Sequence, residues 1–448
     1  LRDEDRRDHK GDLMRVCASL SSVSDMDAAM DADMVEVRLD LLGSVPDTRG
    51  KDTLVTYRDP VDLSVLPDGF SGMIDVGEQP RPDTGLTVVG SYHDYQSTPG
   101  SDWIASRLNS MDADVRKGAF RVNRLADLAS ILDASKAVDG RHVLLGMGAL
   151  GAVTRIRADV LGNEFSFGYV GEPTAPGQFS VEEMLGMGDG CTVLGILGNP
   201  LGKSRSPAMH NAAMRANGIR GAYLPFETPD LDRAEDVIRG YGIRGVNVTI
   251  PYKREIMDHL DRIDPVAERI GAVNTVVNDG GVLTGYNTDV IGIGVALERA
   301  GIDVTDRRVA VMGSGGAARA CMQYLDEHNC SVTVAARNEE TGTALAREFG
   351  QTYRRPSSVS LRMHDLLVNC TPVGMYSDGP YPVSIEALDH GVAVFDMVYG
   401  PTPLTRRAEE TGCRIAYGAD MLAGQGAASF EMWTGVKDSF DTMRKELE

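Results

Sequence analysis

At 448 residues the chain is too long for one ordinary core and points to two or three domains. Hydrophobic content of 42% and charged content of 25% describe a globular protein and exclude disordered or collagen-like chains. A formal net charge of −20, with no basic stripe to offset it, argues against a nucleic-acid binder.

The opening run, LRDEDRRDHKGD, is charged and has no apolar core, so residues 1–13 are expected to form a flexible tail with a trimmed start. No stretch approaches the roughly 20 apolar residues of a membrane span. Six scattered cysteines, without a CxxC pair or zinc-like spacing, fit reduced thiols, no metal and a cytoplasmic setting. From 14 to 187 short β-runs alternate with turns or helices: RVCASL (15–20), MVEVRLD (34–40), TLVTYR (53–58), GMIDVG (72–77), TVVGSYHD (87–94), DVRKGAF (114–120), HVLLGMG (142–148) and EFSFGYV (164–170). Eight such runs predict a (β/α)8 barrel, small for a fold that typically takes about 250 residues. The connections 59–71 and 78–85 are short and rich in Pro and Gly, so two crossover helices are predicted to be missing.

LGMGDG (185–190) reads as a linker. Beyond it a two-domain α/β unit is predicted. Its first domain, 190–300, runs through strand CTVLGIL (191–197), a helix from Pro207, strand GAYLPF (221–226), helix 230–239, strand GVNVTI (245–250), a helix from Tyr252, strands AVNTVV (272–277) and GVLTGYN (281–287), and a long helix 288–300. A second domain, 301–417, opens on RVAVMGSGGAARA, and 418–448 supplies helices packing back on the first. In that opening, a strand leads into Gly313, Gly315, Gly316, Ala317 and Ala318, the G-x-G-x-x-G/A loop of a Rossmann dinucleotide site. There glycines permit a tight turn and the helix N-terminus faces pyrophosphate. About twenty residues on, where an NAD site carries an acid, stands Arg337, which suits the 2′-phosphate of NADP. Glu339 and Glu340 follow closely and leave a ribose contact open.

Several polar groups fall just beyond strand ends, where open α/β sheets bind ligands. Ser204 and Ser206 lie in GKSRSPAMHN, Asn247 and Thr249 in NVTIPYK with Lys253, and Asn287 and Asp289 in GYNTD. Ser206 and Asp289 also read as helix caps. Hydroxyls and amides can fix a polyol, and a Lys beside an Asp can donate a proton to a carbonyl being reduced. The chain has only eight lysines among its 45 Lys+Arg, and one of them, Lys117, sits inside a strand. Arginine cannot form an imine, so this lysine is a candidate for amine chemistry.

LGNPLGKSRSPAMHN, NVTIPYK, AVNT, GYNTD, GSGGAARA, NCTPVGM, DMVYGPTPL and GADMLAGQGAASFEMWTG, in this order, resemble shikimate dehydrogenase. The resemblance implies Lys253 and Asp289 as catalytic pair, and Ser204, Ser206, Asn247, Thr249, Asn274 and Gln425 on the hydroxyls and carboxylate of shikimate. Tyr399 would lie near the substrate, and Thr371 and Met421 near NADP(H). Lys203 stands where the family more usually has His, and YGPTPL is two residues short. Quinate dehydrogenases share the scaffold.

Residues 14–187 resemble type I 3-dehydroquinate dehydratase through VEVRLD, TYR, SYHDYQSTP, ADVRKGAF, TRI and TAPGQF. This implies that Lys117 forms an imine with 3-dehydroquinate, His93 relays protons, Arg155 clamps the carboxylate, and Glu36, Arg38, Arg58, Thr174 and Gln178 complete the site. Lys117 must be neutral to attack, so a depressed pKa is predicted, from burial or from Arg116 and Arg155. The family's Glu partner of the His falls in the shortened segment, leaving Asp62. The reading is a fused enzyme making 3-dehydroshikimate and reducing it to shikimate with NADPH. The alternative is a dehydrogenase carrying an inactive structural barrel.

Overall fold

A computed structural model describes residues 14–58, 60–173, 176–375 and 379–448. The expected tail 1–13 and Thr174 lie outside the described residues. The chain forms two compact units: one holds the chain up to Leu201 together with Ile219–Arg244, the other Gly202–Gly218 together with Gly245–Glu448.

The first unit contains the eight expected strands: β1 (Arg15–Leu20), β2 (Met34–Arg38), β3 (Asp52–Thr56), β4 (Met73–Asp75), β5 (Thr87–Asp94), β6 (Val115–Arg121), β7 (His142–Met147) and β8 (Phe165–Tyr169). They form one parallel sheet in the order β7-β6-β5-β4-β3-β2-β1-β8. A bridge from His142 to Asn163 nearly closes it into a barrel. Asn163 finishes the seam with its side chain, accepting from Leu144 N–H at 2.8 Å and donating to Leu144 C=O at 2.9 Å. Because side chains alternate along a strand, one parity fills the barrel. Cys17, Met34, Leu54, Met73, Val89, Val115, Val143 and Phe165 make its apolar layer. Two residues further along their strands come Ser19, Glu36, Thr56, Asp75, Ser91 and Lys117, so the same parity carries a polar layer above the apolar one.

Helices coat only part of this barrel. Ser101–Asn109 follows β5 and Leu125–Ser135 follows β6, whereas among described residues the first four connections hold no helix longer than four residues. Two crossover helices were expected to be absent; the connections β1–β2 and β2–β3 are equally reduced, to Val23–Met26 and Leu39–Leu42. The same unit includes strands β9 (Thr192–Gly198) and β10 (Gly221–Glu227), paired in parallel, and helix Ala234–Gly240. That helix starts later than residue 230 because Arg233, at φ +64°, turns the chain left-handed before it. It lies against Leu125–Ser135: Tyr241 OH donates to Leu128 C=O at 3.0 Å, Arg233 pairs with Asp133 at 2.8 Å, and a Cβ on Gly240 would strike Leu132.

The second unit holds two sheets. Strands β11 (Gly245–Val248), β13 (Thr275–Asp279) and β14 (Val282–Tyr286) run antiparallel, and β12 (Arg262–Ile263) pairs with β14. The helix expected from Tyr252 is only a 3-10 turn, Glu255–His259. The other sheet, β15 (Arg308–Met312), β16 (Ser331–Ala335), β17 (Thr352–Tyr353), β18 (Leu366–Asn369), β19 (Ala393–Asp396) and β20 (Ile415–Tyr417), has the order β17-β16-β15-β18-β19-β20. This is the doubly wound Rossmann order, with its switch point between β15 and β18. Helices Asp289–Arg299 and Gly418–Thr434 pack closely; a Cβ on Gly292 would meet Met421 C=O. No helix among the described residues is long and apolar enough to cross a membrane.

Candidate active sites

In the barrel, Lys117 is 4% exposed and points inward from β6. Its Nζ donates to Asp75 Oδ2 at 3.1 Å, lies 3.9 Å from Glu36 Oε1 and sits 4.5 Å from the Phe167 ring centroid. Burial pushes its pKa down, but Asp75 and then Glu36 push it up and prevail, so the ammonium is held above its ordinary value. The expected depression is thereby corrected. Arg116 does not oppose the carboxylates, because strand alternation turns it to the outer face, where it donates to Asp139 C=O at 2.8 Å. Asp75 behaves as the partner: burial raises it, yet Lys117 and bonds from Ser91 Oγ (2.6 Å) and Gly77 N–H (3.0 Å) hold it below its ordinary value. Glu36 accepts from Thr56 at 2.8 Å and from Ser19.

Asp75 was not among the sequence candidates. Its signal was a lone carboxylate in the buried strand GMIDVG, a placement that needs a partner. Asp62, the residue left to partner His93, caps a short 3-10 turn instead, accepting from Ser64 N–H (2.9 Å) and Oγ (2.7 Å). His93 is held neutral, pushed down to about 3 by burial, Lys117 and Arg58; the carboxylate that opposes this is Asp75. Tyr95 stacks on its ring at 5.9 Å. Arg38 is held by Asp40 in bidentate fashion (2.8 and 2.5 Å) rather than by Glu36, and Arg58 is exposed. Arg155 is 7% exposed; it donates to Gly146 C=O at 2.7 Å, and its Nε is buried without a partner. Burial alone lowers its pKa to about 10. A buried guanidinium with an unused donor suits an incoming carboxylate. Gln178 lies, half-buried, in the segment between β8 and helix Val181–Met187.

The second unit assembles a different lysine–carboxylate centre. Lys253 Nζ meets Asp289 Oδ2 at 2.5 Å, and Asn274 Nδ2 donates to Asp289 Oδ1 at 2.8 Å. Asn274 Oδ1 accepts from Thr288 N–H at 2.7 Å, and its amide nitrogen also reaches Gln425 Oε1 at 3.5 Å. Asn247 donates to Ser429 at 3.0 Å and Thr275 at 3.2 Å, two hydroxyls the sequence reading did not single out. Asp289 is the first residue of its helix, not its cap; Asn287 Oδ1 accepts from its N–H at 3.1 Å. Ser206 begins helix Ser206–Ala216 and its N–H faces Ser204 Oγ at 3.3 Å, so it too is not the cap. Tyr399 OH donates to Lys203 C=O at 2.8 Å. Thr249 is half-buried just past β11.

Lys253 also reaches the glycine loop: a Cβ on Gly316 would lie 3.7 Å from its Cδ. In that loop Gly313 takes φ +112°, where a Cβ would crowd Cys370 C=O and Thr371 at 3.2 Å. A Cβ on Gly315 would meet nothing within 4 Å, leaving open space before helix Gly316–Glu327, whose N-terminal residues include Ala317 and Ala318. That is the cradle a pyrophosphate needs. Thr371 is fixed by Asn369 at 2.6 Å, Met421 is buried in the core beside the loop sheet, and Arg337 is exposed just past β16.

Fold and sites together define a two-site α/β enzyme of carbonyl chemistry. Family models match at residues 74–187 (type I 3-dehydroquinase), 196–276 (shikimate dehydrogenase substrate binding domain) and 418–448 (shikimate 5′-dehydrogenase C-terminal domain). A shikimate dehydrogenase (NADP(+)) of Geobacter sp. (strain M21) is 43% identical over 274 residues, covering 57% of this chain and 94% of the relative. The crystal structure of shikimate 5-dehydrogenase from Thermus thermophilus with NADP(H) and shikimate aligns at 37% identity and TM-score 0.54, covering 57% of this chain and 98% of that one. Quinate dehydrogenase from Corynebacterium glutamicum with NAD aligns at 31% identity and TM-score 0.54, with 57% and 98% covered. The chain belongs to the shikimate dehydrogenase family and carries a type I 3-dehydroquinase segment ahead of it.

Proposed function

We propose that the chain catalyses two successive reactions, dehydration of 3-dehydroquinate to 3-dehydroshikimate and NADPH-dependent reduction of that product to shikimate. The observation that carries it is the pair of separate lysine–carboxylate centres, Lys117–Asp75 inside a barrel and Lys253–Asp289 beside a glycine loop. The chain is read as a tail (1–13), a dehydratase barrel (14–187), a shikimate-binding domain (190–300), an NADP domain (301–417) and closing helices (418–448), in a cytoplasmic setting.

In the barrel, Lys117 starts as an ammonium and passes a proton to Asp75 before its amine attacks the ketone. The proton held by Asp75 passes to the former ketone oxygen, which leaves as water, and the resulting protonated imine draws electrons from the neighbouring carbon. His93, neutral at any working pH, takes the proton of the breaking C–H bond; the electron pair forms the ring C=C as hydroxide leaves, and His93 returns the proton to make water. Hydrolysis of the imine frees Lys117. Arg155 holds the carboxylate, and Glu36, Arg38, Arg58, Thr174 and Gln178 bind the remaining oxygens.

In the other site Ser204, Ser206, Asn247, Thr249, Asn274, Tyr399 and Gln425 orient the substrate. NADPH, when bound on the glycine loop, would supply the hydride that the carbonyl carbon takes up. Lys253 donates a proton to the carbonyl oxygen as its charge grows and regains one from solvent, and Asp289, held by Asn274, keeps Lys253 aimed and favours its charged form. Gly313, Gly315, Gly316, Ala317, Ala318, Arg337, Thr371 and Met421 line the cofactor side.

The test separates this from an inactive barrel. The protein is mixed with 3-dehydroquinate without NADPH and the enone absorbance of 3-dehydroshikimate is followed, beside Lys117→Ala. Enone from the unmutated protein alone supports the reading. Turnover in neither sample, with 3-dehydroshikimate still reduced by NADPH, means a structural barrel.

A further inference from the structure

A cavity of about 870 Å³ opens at the carboxyl edge of β16 and β17, lined among others by Arg337, Arg355, Glu339, Tyr353 and Tyr381. These two strands run parallel with Val334 opposite Tyr353, so Arg337 and Arg355 leave neighbouring strand ends at nearly the same level. Arg337 was the expected contact for a 2′-phosphate. Arg355 had no assigned role.

The backbone of Arg355 is held in place. Pro356 follows it and confines it to an extended conformation (φ −59°, ψ 135°), and Ser358 donates to its C=O through both N–H (2.8 Å) and Oγ (2.7 Å). Its side chain is 73% exposed and rests against Glu339, itself 60% exposed, at 3.4 Å. An exposed ion pair at that distance contributes little and exchanges readily. A phosphate dianion is a better partner for a guanidinium, with two parallel N–H···O bonds. Ser314 Oγ lies 2.8 Å from Thr341 Oγ1, so the glycine loop and the helix Glu339–Glu348 adjoin, which brings a cofactor's ribose toward the two arginines.

We infer that Arg355 is a second ligand for the 2′-phosphate of NADP(H), and that Glu339 is its resting partner, which it leaves when the phosphate enters. This rests on the reading of the second unit as an NADP-dependent reductase. Glu339 then opposes the phosphate twice, by its own charge and by occupying Arg355. If Glu339 instead holds a ribose hydroxyl, its neutralisation has the opposite effect.

The test is calorimetric binding of adenosine 2′,5′-bisphosphate and of 5′-AMP to the full chain, with the kcat/KM ratio for NADPH over NADH measured in parallel. Arg355→Ala is expected to weaken the bisphosphate relative to AMP about tenfold and to lower the NADPH:NADH ratio through KM. Glu339→Gln is expected to raise both by about two- to threefold. The inference is overturned if Arg355→Ala leaves the bisphosphate:AMP ratio unchanged while Arg337→Ala lowers it, or if Glu339→Gln weakens AMP and NADH. If Arg337→Ala also leaves the ratio unchanged, the placing of the 2′-phosphate itself fails, and the inference fails with it.

Discussion

The two lysine–carboxylate centres share residue types but differ in surroundings, and the proposed reactions put those surroundings to different ends. Lys117 is sealed in a barrel with Asp75 and Glu36 around one nitrogen, its side chain 5% exposed. Lys253 is 20% exposed, meets one carboxylate, and reaches a glycine loop. A lysine that must bond to carbon profits from enclosure, which limits bulk water around the amine and places acceptors for its proton. A lysine that only lends a proton needs a carboxylate that favours its charged form and an open side for the carbonyl and for a replacement proton from solvent. The carboxylates enclosed with it leave Lys117 charged at rest, so in the proposed reaction proton removal becomes a step.

The comparison breaks most sharply under reciprocal substitution. Lys117→Ala is expected to abolish enone formation and spare NADPH oxidation by 3-dehydroshikimate, whereas Lys253→Ala should slow that oxidation by about 10²–10⁴-fold and spare the dehydration. A variant that damages both reactions would contradict two independent centres. Next comes Asp75→Asn, which removes the nearest acceptor for the Lys117 proton. Dehydration should fall by about 10²-fold, with less borohydride-trapped adduct on Lys117 at neutral pH, seen by mass spectrometry. Retention of full activity would assign the proton to Glu36.

A smaller effect separates His93 from an ordinary surface histidine. Its folded pKa of about 3 lies below the ordinary 6.5, so the unfolded chain takes the proton first as pH falls. Stability present above pH 6.5 is therefore lost progressively down to pH 3. His93→Gln should flatten that slope in melting temperature; an unchanged slope would mean His93 is not buried neutral. Smallest is Tyr241→Phe, which removes the hydroxyl that donates to Leu128 C=O and should cost about 1 kcal/mol of stability, read from denaturant melts.

What could be read from sequence followed periodicity and local order. The eight barrel strands and the glycine loop on β15 lie in short runs whose chemistry is local, whereas Lys253 and Asp289, 36 positions apart, were paired through the resemblance of NVTIPYK and GYNTD to a known family. Asp75 escaped because its meaning depends on Lys117, a partner 42 positions away across β5. The charge state of Lys117 was misjudged for the same reason. Arg116 is its neighbour in sequence, but alternation sends it outward, while the groups that set the amine's charge come from β2 and β4. The helices missing from β1–β2 and β2–β3 were hidden because apolar runs such as LDLL suggest a helix that ends after one turn at Gly43, φ +70°.

The packing of helix Ala234–Gly240 onto helix Leu125–Ser135 also bears on how the chain is made. A ribosome releases the barrel's last helix, ending at Met187, well before Tyr241 exists. At about 5–20 residues per second the intervening segment takes roughly 3–11 s to synthesise, and for that time Leu132 and the C=O of Leu128 lack the partners that Gly240 and Tyr241 later supply. A nascent chain stalled in this window should bind ribosome-associated holdases more strongly than one stalled after Arg244.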